Sequence, residues 1–279
     1  MRTHSIVKYD NNLTADVNDI GQGPPLLLIH SAGMGAAQWR VLARALAGEF
    51  RCLAPNLRGY GRSSPWPEGK PAAIAAELAL LEAVALRAGA PLHLVGHSMG
   101  AWLALELARR KPRGCVSLIL IEPVVLGTLR APGEEAPLAE VSAMIEDVLA
   151  AFARADVAAA MERFTDYWYG TGAWAEIPLA QRLPIFARAA KMRADVAAVW
   201  ADRTPASAFA GIGVPTLVLS AERTTRAAAR MAELLTAAVR GARREIVPEA
   251  GHMAPISHAA WLARRLADFV AESVKASHR

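Results

Sequence analysis

Residues 3–8 and 12–20 alternate polar and apolar side chains, which is the period of strands with one solvated face. They read as two antiparallel strands at a sheet edge. After the turn Gly21-Gln22-Gly23-Pro24-Pro25 the pattern changes. Leu26-Leu27-Leu28-Ile29 is apolar without interruption, as a parallel strand covered on both faces must be. Strand-like runs recur at 50–54, 92–95 and 116–121, and helical patterns occupy 38–47, 71–88 and 99–110. Alternation of this kind, with short connections, predicts an α/β fold: a mostly parallel sheet with helices on both faces. After Glu122 the alternation stops. Residues 127–206 hold no strand-like run, only helical stretches near 137–154, 156–168 and 178–200. Alternation resumes with a strand at 216–219, a helix at 225–239, a strand at 244–247 and a helix at 257–275. The expectation is an eight-stranded core built from 1–126 and 207–279, interrupted by a helical cap insertion at 127–206.

Composition narrows the function classes. Of 279 residues, 53% are hydrophobic and 20% charged, enough apolar content for a large core and against disorder. The net charge of +5 is scattered, with Arg109-Arg110-Lys111 and Arg264-Arg265 at helix ends, where cations are favoured. No nucleic-acid motif accompanies it, so no nucleic-acid partner is expected. Cys52 and Cys115 fall in apolar runs and read as buried free thiols. Residues 1–20 carry Arg2, Lys8, Asp10, Asp16 and Asp19 with no apolar stretch, and no segment is long enough to span a bilayer. The expected setting is cytoplasmic, without a membrane partner, as monomer or homodimer. No HExxH, no Cys/His cluster and no dinucleotide GxGxxG appears, so neither metal nor cofactor is expected.

Chemistry is carried by Gly96-His97-Ser98-Met99-Gly100, between a strand and a helix. Gly-x-Ser-x-Gly in that context is a nucleophile elbow. A sharp reversal strains the serine backbone, and side chains two residues to either side would collide. The plainer alternative is a glycine-rich turn whose serine caps the helix. Seven histidines are present. His4, His93, His258 and His278 sit near termini, inside a strand or on the last helix, and His97 reads as a packing residue. His252 instead follows a strand through Glu249-Ala250-Gly251, at the sheet edge where ligands bind in open α/β folds.

With these residues the chain resembles the α/β-hydrolase family over nearly its whole length. Leu28-Ile29-His30-Ser31-Ala32-Gly33 is similar to the family's oxyanion loop, and 55–63 (Pro-Asn-Leu-Arg-Gly-Tyr-Gly-Arg-Ser) to its Asp-x-Arg-Gly-x-Gly-x-Ser segment. Ala250-Gly251-His252 matches its catalytic-histidine turn. The resemblance implies Ser98 as nucleophile, His252 as base, and the N–H groups of Ala32 and Met99 as the oxyanion hole. Ser31 replaces a usual Gly and Asn56 a usual Asp. A third departure touches the triad: Thr224 stands where the family's acid usually lies. Glu122, at the end of the strand 116–121, is the substitute acid, as in family members that carry it after that strand. Glu222, in the usual loop but about two residues early, is its rival.

The implied reaction is hydrolysis of a small or medium carboxylic ester, thioester or lactone with an apolar part, through an acyl-enzyme. Carbon–carbon bond hydrolysis and cofactor-free perhydrolysis use similar frameworks. From another class, the fold also serves as a catalytically weak small-molecule binding protein, a reading that Thr224 favours.

Overall fold

Eight strands form one sheet in the computed structural model, which describes residues 2–10, 12–67 and 73–277. They are β1 (Arg2–Tyr9), β2 (Leu13–Ile20), β3 (Pro25–Ile29), β4 (Arg51–Pro55), β5 (Leu92–His97), β6 (Cys115–Ile121), β7 (Thr216–Ala221) and β8 (Arg243–Val247). Their order across the sheet is β1-β2-β4-β3-β5-β6-β7-β8. β1 pairs antiparallel with β2 and β2 antiparallel with β4; the remaining pairs are parallel.

The helices are α1 (Arg40–Leu46), α2 (Ile74–Ala88), α3 (Met99–Arg109), α4 (Glu135–Ala153), α5 (Val157–Tyr169), α6 (Ala173–Glu176), α7 (Leu179–Phe186), α8 (Ala189–Ala201), α9 (Arg226–Ala238), α10 (Ala254–Ser257) and α11 (Ala259–Ser277). The period of two along the strands divides the core. Leu27, Ile29, Leu94, Leu118 and Leu120 pack in one cluster with α2, α3 and α9. Leu26, Leu28, Ile119, Ile121, Leu217 and Leu219 pack in the other with α1 and α11. At about 1.5–3 kcal/mol for each fully buried aliphatic side chain, these two layers supply most of the drive to fold. α4–α8 lie between β6 and β7 in the chain and join the first cluster through Val141, Met144, Phe152, Trp168 and Val196.

Three sequence expectations change in detail. The stretch 178–200 is two helices: α7 holds Pro184 inside it and ends at Phe186, and α8 begins at Ala189. α6 carries no long period; the Asp166 carboxylate nucleates it by accepting from the N–H groups of Gly172 and Trp174. The last helix is likewise broken, at His258, between α10 and α11. The predicted helix start at 71–72, like His278, lies outside the described residues.

Besides His252, His30, His93 and His97 are buried in this core. Burial lowers His30 to about 3 and His93 to about 4, and takes His97 well below the ordinary 6.5. The unfolded chain therefore binds more protons between pH 6.5 and about 4, and stability is lost as pH falls through that window. The buried carboxylates Glu77 and Asp195, raised by burial, pull the other way. His30 and His93, both still neutral at pH 5, each cost about 2 kcal/mol there. Urea unfolding is expected to show a clearly lower midpoint at pH 5 than at pH 7.5; equal midpoints would contradict this account.

Candidate active site

β5 ends and α3 begins around Ser98, which adopts φ 56° and ψ −121°, a conformation L-residues rarely take. The turn is held in place from both sides. The Ser98 N–H donates to the Ile121 carbonyl at 3.0 Å, and the Ser98 carbonyl accepts from Ala101 at 2.9 Å and Val124 at 3.3 Å. A Cβ at Gly96 would lie 2.3 Å from the Gly100 carbonyl oxygen, so the flanking glycine has no substitute. The Ser98 side chain makes no capping bond to α3. Its hydroxyl instead lies 3.0 Å from Nε2 of His252.

His252 follows β8 through a turn in which Glu249 has φ 57°. Its Nδ1 is 3.0 Å from Oε2 of Glu122. Trp168 of α5 stacks on the imidazole, with ring centroids 4.3 Å apart. His97 donates from Nε2 to the backbone carbonyl of His252 at 2.8 Å. Burial first, and the neighbouring His252 second, keep His97 neutral. It holds the histidine loop without reaching the serine.

Glu122 is 1% exposed and sits at φ 47°, just past β6. Oε1 accepts the Ala221 N–H at 2.6 Å. Oε2 accepts the hydroxyl of Thr224 as well as the imidazole proton. The two strands concerned, β6 and β7, are neighbours in the sheet, so the carboxylate has only to cross one strand spacing. Thr224 was the residue whose role the sequence obscured. It occupies the position where the family's acid usually lies and donates its hydroxyl to Glu122. Glu222 is turned elsewhere: it is exposed, and its Oε2 accepts the Glu249 N–H at 2.6 Å.

Ala32 and Met99 both border the cavity that Ser98 faces. Among the described residues neither backbone N–H has a protein acceptor, so both are free to donate to an oxyanion. The loop behind Ala32 is pinned by buried side chains. The Leu57 N–H donates to Nε2 of His30 at 3.1 Å, and Nδ1 lies 2.8 Å from the Ser31 carbonyl and 3.2 Å from the Gly35 nitrogen. Asn56 accepts from the Ala36 N–H at 2.8 Å and donates to the Asp16 carboxylate at 3.0 Å. A carboxylate at 56 would face Asp16 with like charge, so the departure at 56 and the acid at 16 belong together. Ser31 gives its hydroxyl to Gln38 at 2.7 Å.

The cavity is about 30 Å³ and is walled by Val124, Met144, Ile145, Phe164, Trp168 and Val196. It offers room for roughly two waters. No side chain lining it carries charge.

A parallel sheet with a strained serine after its central strand, and a histidine and an acid from later strand ends, defines an α/β hydrolase scaffold. The chain belongs to the alpha/beta hydrolase family, whose model matches residues 26–265. It is 35% identical over 109 residues to the pimeloyl-[acyl-carrier protein] methyl ester esterase of Aeromonas salmonicida (strain A449), a match covering 39% of this chain and 41% of that protein. It is 30% identical over 115 residues to the 2-hydroxymuconate semialdehyde hydrolase of Pseudomonas sp. (strain CF600), covering 39% and 40% respectively. The matched stretches thus span about two fifths of these relatives. Among solved structures, the esterase EaEST from Exiguobacterium antarcticum superposes with a TM-score of 0.77 at 20% identity, covering 96% of this chain and 99% of that one, a likeness of fold. No helix among the described residues is long and apolar enough to cross a membrane.

Proposed function

We propose that the chain is a serine hydrolase that cleaves small carboxylic esters, thioesters or lactones with an apolar acyl part. The observation that carries this reading is the continuous hydrogen-bonded series Ser98–His252–Glu122, at 3.0 Å and 3.0 Å. His252 takes the Ser98 proton as the hydroxyl attacks the carbonyl carbon. The N–H groups of Ala32 and Met99 receive the developing oxyanion, and Glu122 stabilises the imidazolium. The imidazolium then protonates the leaving alcohol or thiol. Water, deprotonated by the same histidine, releases the acid and restores Ser98.

Residues 127–206 act as a cap whose α4, α5 and α8 wall the acyl pocket. An apolar wall of that size favours a short hydrocarbon acyl chain. It disfavours carbon–carbon cleavage of a carboxylate-bearing substrate within the cavity, where the carboxylate would meet no partner. The Thr224 hydroxyl serves Glu122, which supports the catalytic reading over a catalytically weak binding protein. Cys52 is a buried free thiol, and Cys115 is one that is only partly buried.

The test is a fluorophosphonate probe followed by intact mass on the parent and on Ser98→Ala. Labelling of the parent alone is expected, together with turnover of short-chain esters that falls as the acyl chain lengthens. A folded parent that takes up no probe and cleaves no ester would remove the hydrolase reading.

A further inference from the structure

Behind the oxyanion loop lies a buried ionic cluster that the proposed reaction does not use directly. Lys191 of α8 is 5% exposed, yet its ammonium contacts Oε1 of Glu77 on α2 at 2.9 Å and Oδ1 of Asp195 at 2.5 Å. Glu77 and Asp195 are equally buried. Asp195 Oδ2 accepts the hydroxyl proton of Tyr60 at 2.6 Å. The Tyr60 oxygen in turn accepts the N–H of Gly33 at 2.8 Å, the peptide next to Ala32. The same loop is held again by Arg188, which donates to the Met34 carbonyl at 2.9 Å.

The cluster has a direction. A phenol can accept from Gly33 with its own proton committed only if a strong acceptor lies on its far side, and the Asp195 carboxylate is that acceptor. Burial alone would strip Lys191 of its proton, but the two carboxylates outweigh it and keep the ammonium charged. Burial, then Asp195, also holds the Tyr60 phenol well above its ordinary range, so it stays protonated. Lys191 and Asp195 come from the helical segment between β6 and β7, whereas Glu77, Tyr60 and Gly33 belong to the sheet-bearing core. Lifting α8 would leave Glu77 without its cation and Tyr60 without its acceptor.

We propose that Tyr60 is a positioning residue for the oxyanion hole, and that the Lys191–Asp195–Glu77 cluster makes the readiness of that hole depend on α8 being docked. This rests on the hydrolase reading. Tyr60 never touches substrate; it fixes the peptide after Ala32, whose N–H must meet the oxyanion. A misplaced donor costs rate rather than binding, because the oxyanion exists only beyond the ground state.

Tyr60→Phe removes one oxygen and keeps the ring against His30. On the best short ester, it is expected to lower kcat by about tenfold or more with KM within about twofold, since small misplacements in a site cost on this order. Lys191→Met is expected to raise backbone amide exchange in Ala189–Ala201 and in residues 31–36 together. Tyr60→Phe should raise it in 31–36 alone. If Lys191→Met does not fold, the kcat and KM of Tyr60→Phe decide. An active parent whose Tyr60→Phe form keeps parental kcat, or loses only KM, overturns this inference alone. A parent inert to both probe and esters overturns the hydrolase reading, and this inference with it.

Discussion

Glu122→Gln is expected to lower kcat/KM by about 10³- to 10⁴-fold, in line with the loss when a triad acid is made neutral elsewhere. The reason lies in the acceptor count. Glu122 offers two oxygens to three donors: the Ala221 N–H, the Thr224 hydroxyl and Nδ1 of His252. A glutamine keeps one oxygen and turns an NH₂ toward groups that are themselves donors. The least costly rearrangement moves the imidazole proton to Nε2, facing Ser98, where a base is needed. The imidazolium also loses its counter-charge in a site where Glu122 and His252 are almost wholly shielded from water. Glu222→Gln is the control. Its oxygen serves only the N–H of Glu249 on the surface, and an amide oxygen does that as well, so kcat/KM should stay within about twofold, as for most surface changes. Steady-state rates on one short ester decide the matter. Retention of more than about a tenth of parental kcat/KM by Glu122→Gln, against the loss set out above, would mean that another acid orients His252.

Much of this site could be read from the chain because short-range rules govern it. A continuous apolar run marks β3, and apolar runs interrupted at His93 and Ser117 mark β5 and β6, since both faces of those strands are covered. The glycines around Ser98 are fixed by backbone crowding, whereas Glu122 was suggested only by resemblance to family members that carry their acid after that strand, with Glu222 as its rival. What stayed hidden depends on pairings between distant residues. Tyr60 meets Asp195 across 135 positions, and Lys191 meets Glu77 across 114. No period or spacing signals such a contact, and a lysine on a helix ordinarily reads as solvated. Thr224 was misleading for a related reason. Loss of a carboxylate looks like loss of function until the replacement carboxylate is seen to need a donor at that place.

Gly100→Ala should destabilise the fold by more than about 3 kcal/mol, in the range reached by overpacking and backbone strain in a core. The second glycine of the elbow lies in the first turn of α3, where alanine would otherwise be preferred by about 1 kcal/mol. That preference is overridden by position. A Cβ there would lie 2.2 Å from the Ile29 carbonyl oxygen and 2.6 Å from that of His30. Both are backbone atoms at the end of β3, and Ile29 is in register with Gly96 of β5. Relief therefore requires α3 to rise off the sheet or β3 to shift against β5, and either move displaces Ser98 from His252. Gly48→Ala is the matched comparison, with no heavy atom within 4 Å of the added carbon and no left-handed φ. It should be neutral or slightly stabilising, because alanine narrows the unfolded ensemble. Urea unfolding of the two variants beside the parent separates the explanations. If Gly100→Ala loses no more stability than Gly48→Ala, close approach of α3 to β3 is not what requires glycine at the elbow. If it unfolds early and also fails to take up fluorophosphonate at temperatures where it is folded, the same contact sets both the stability of the sheet–helix junction and the reactivity of Ser98.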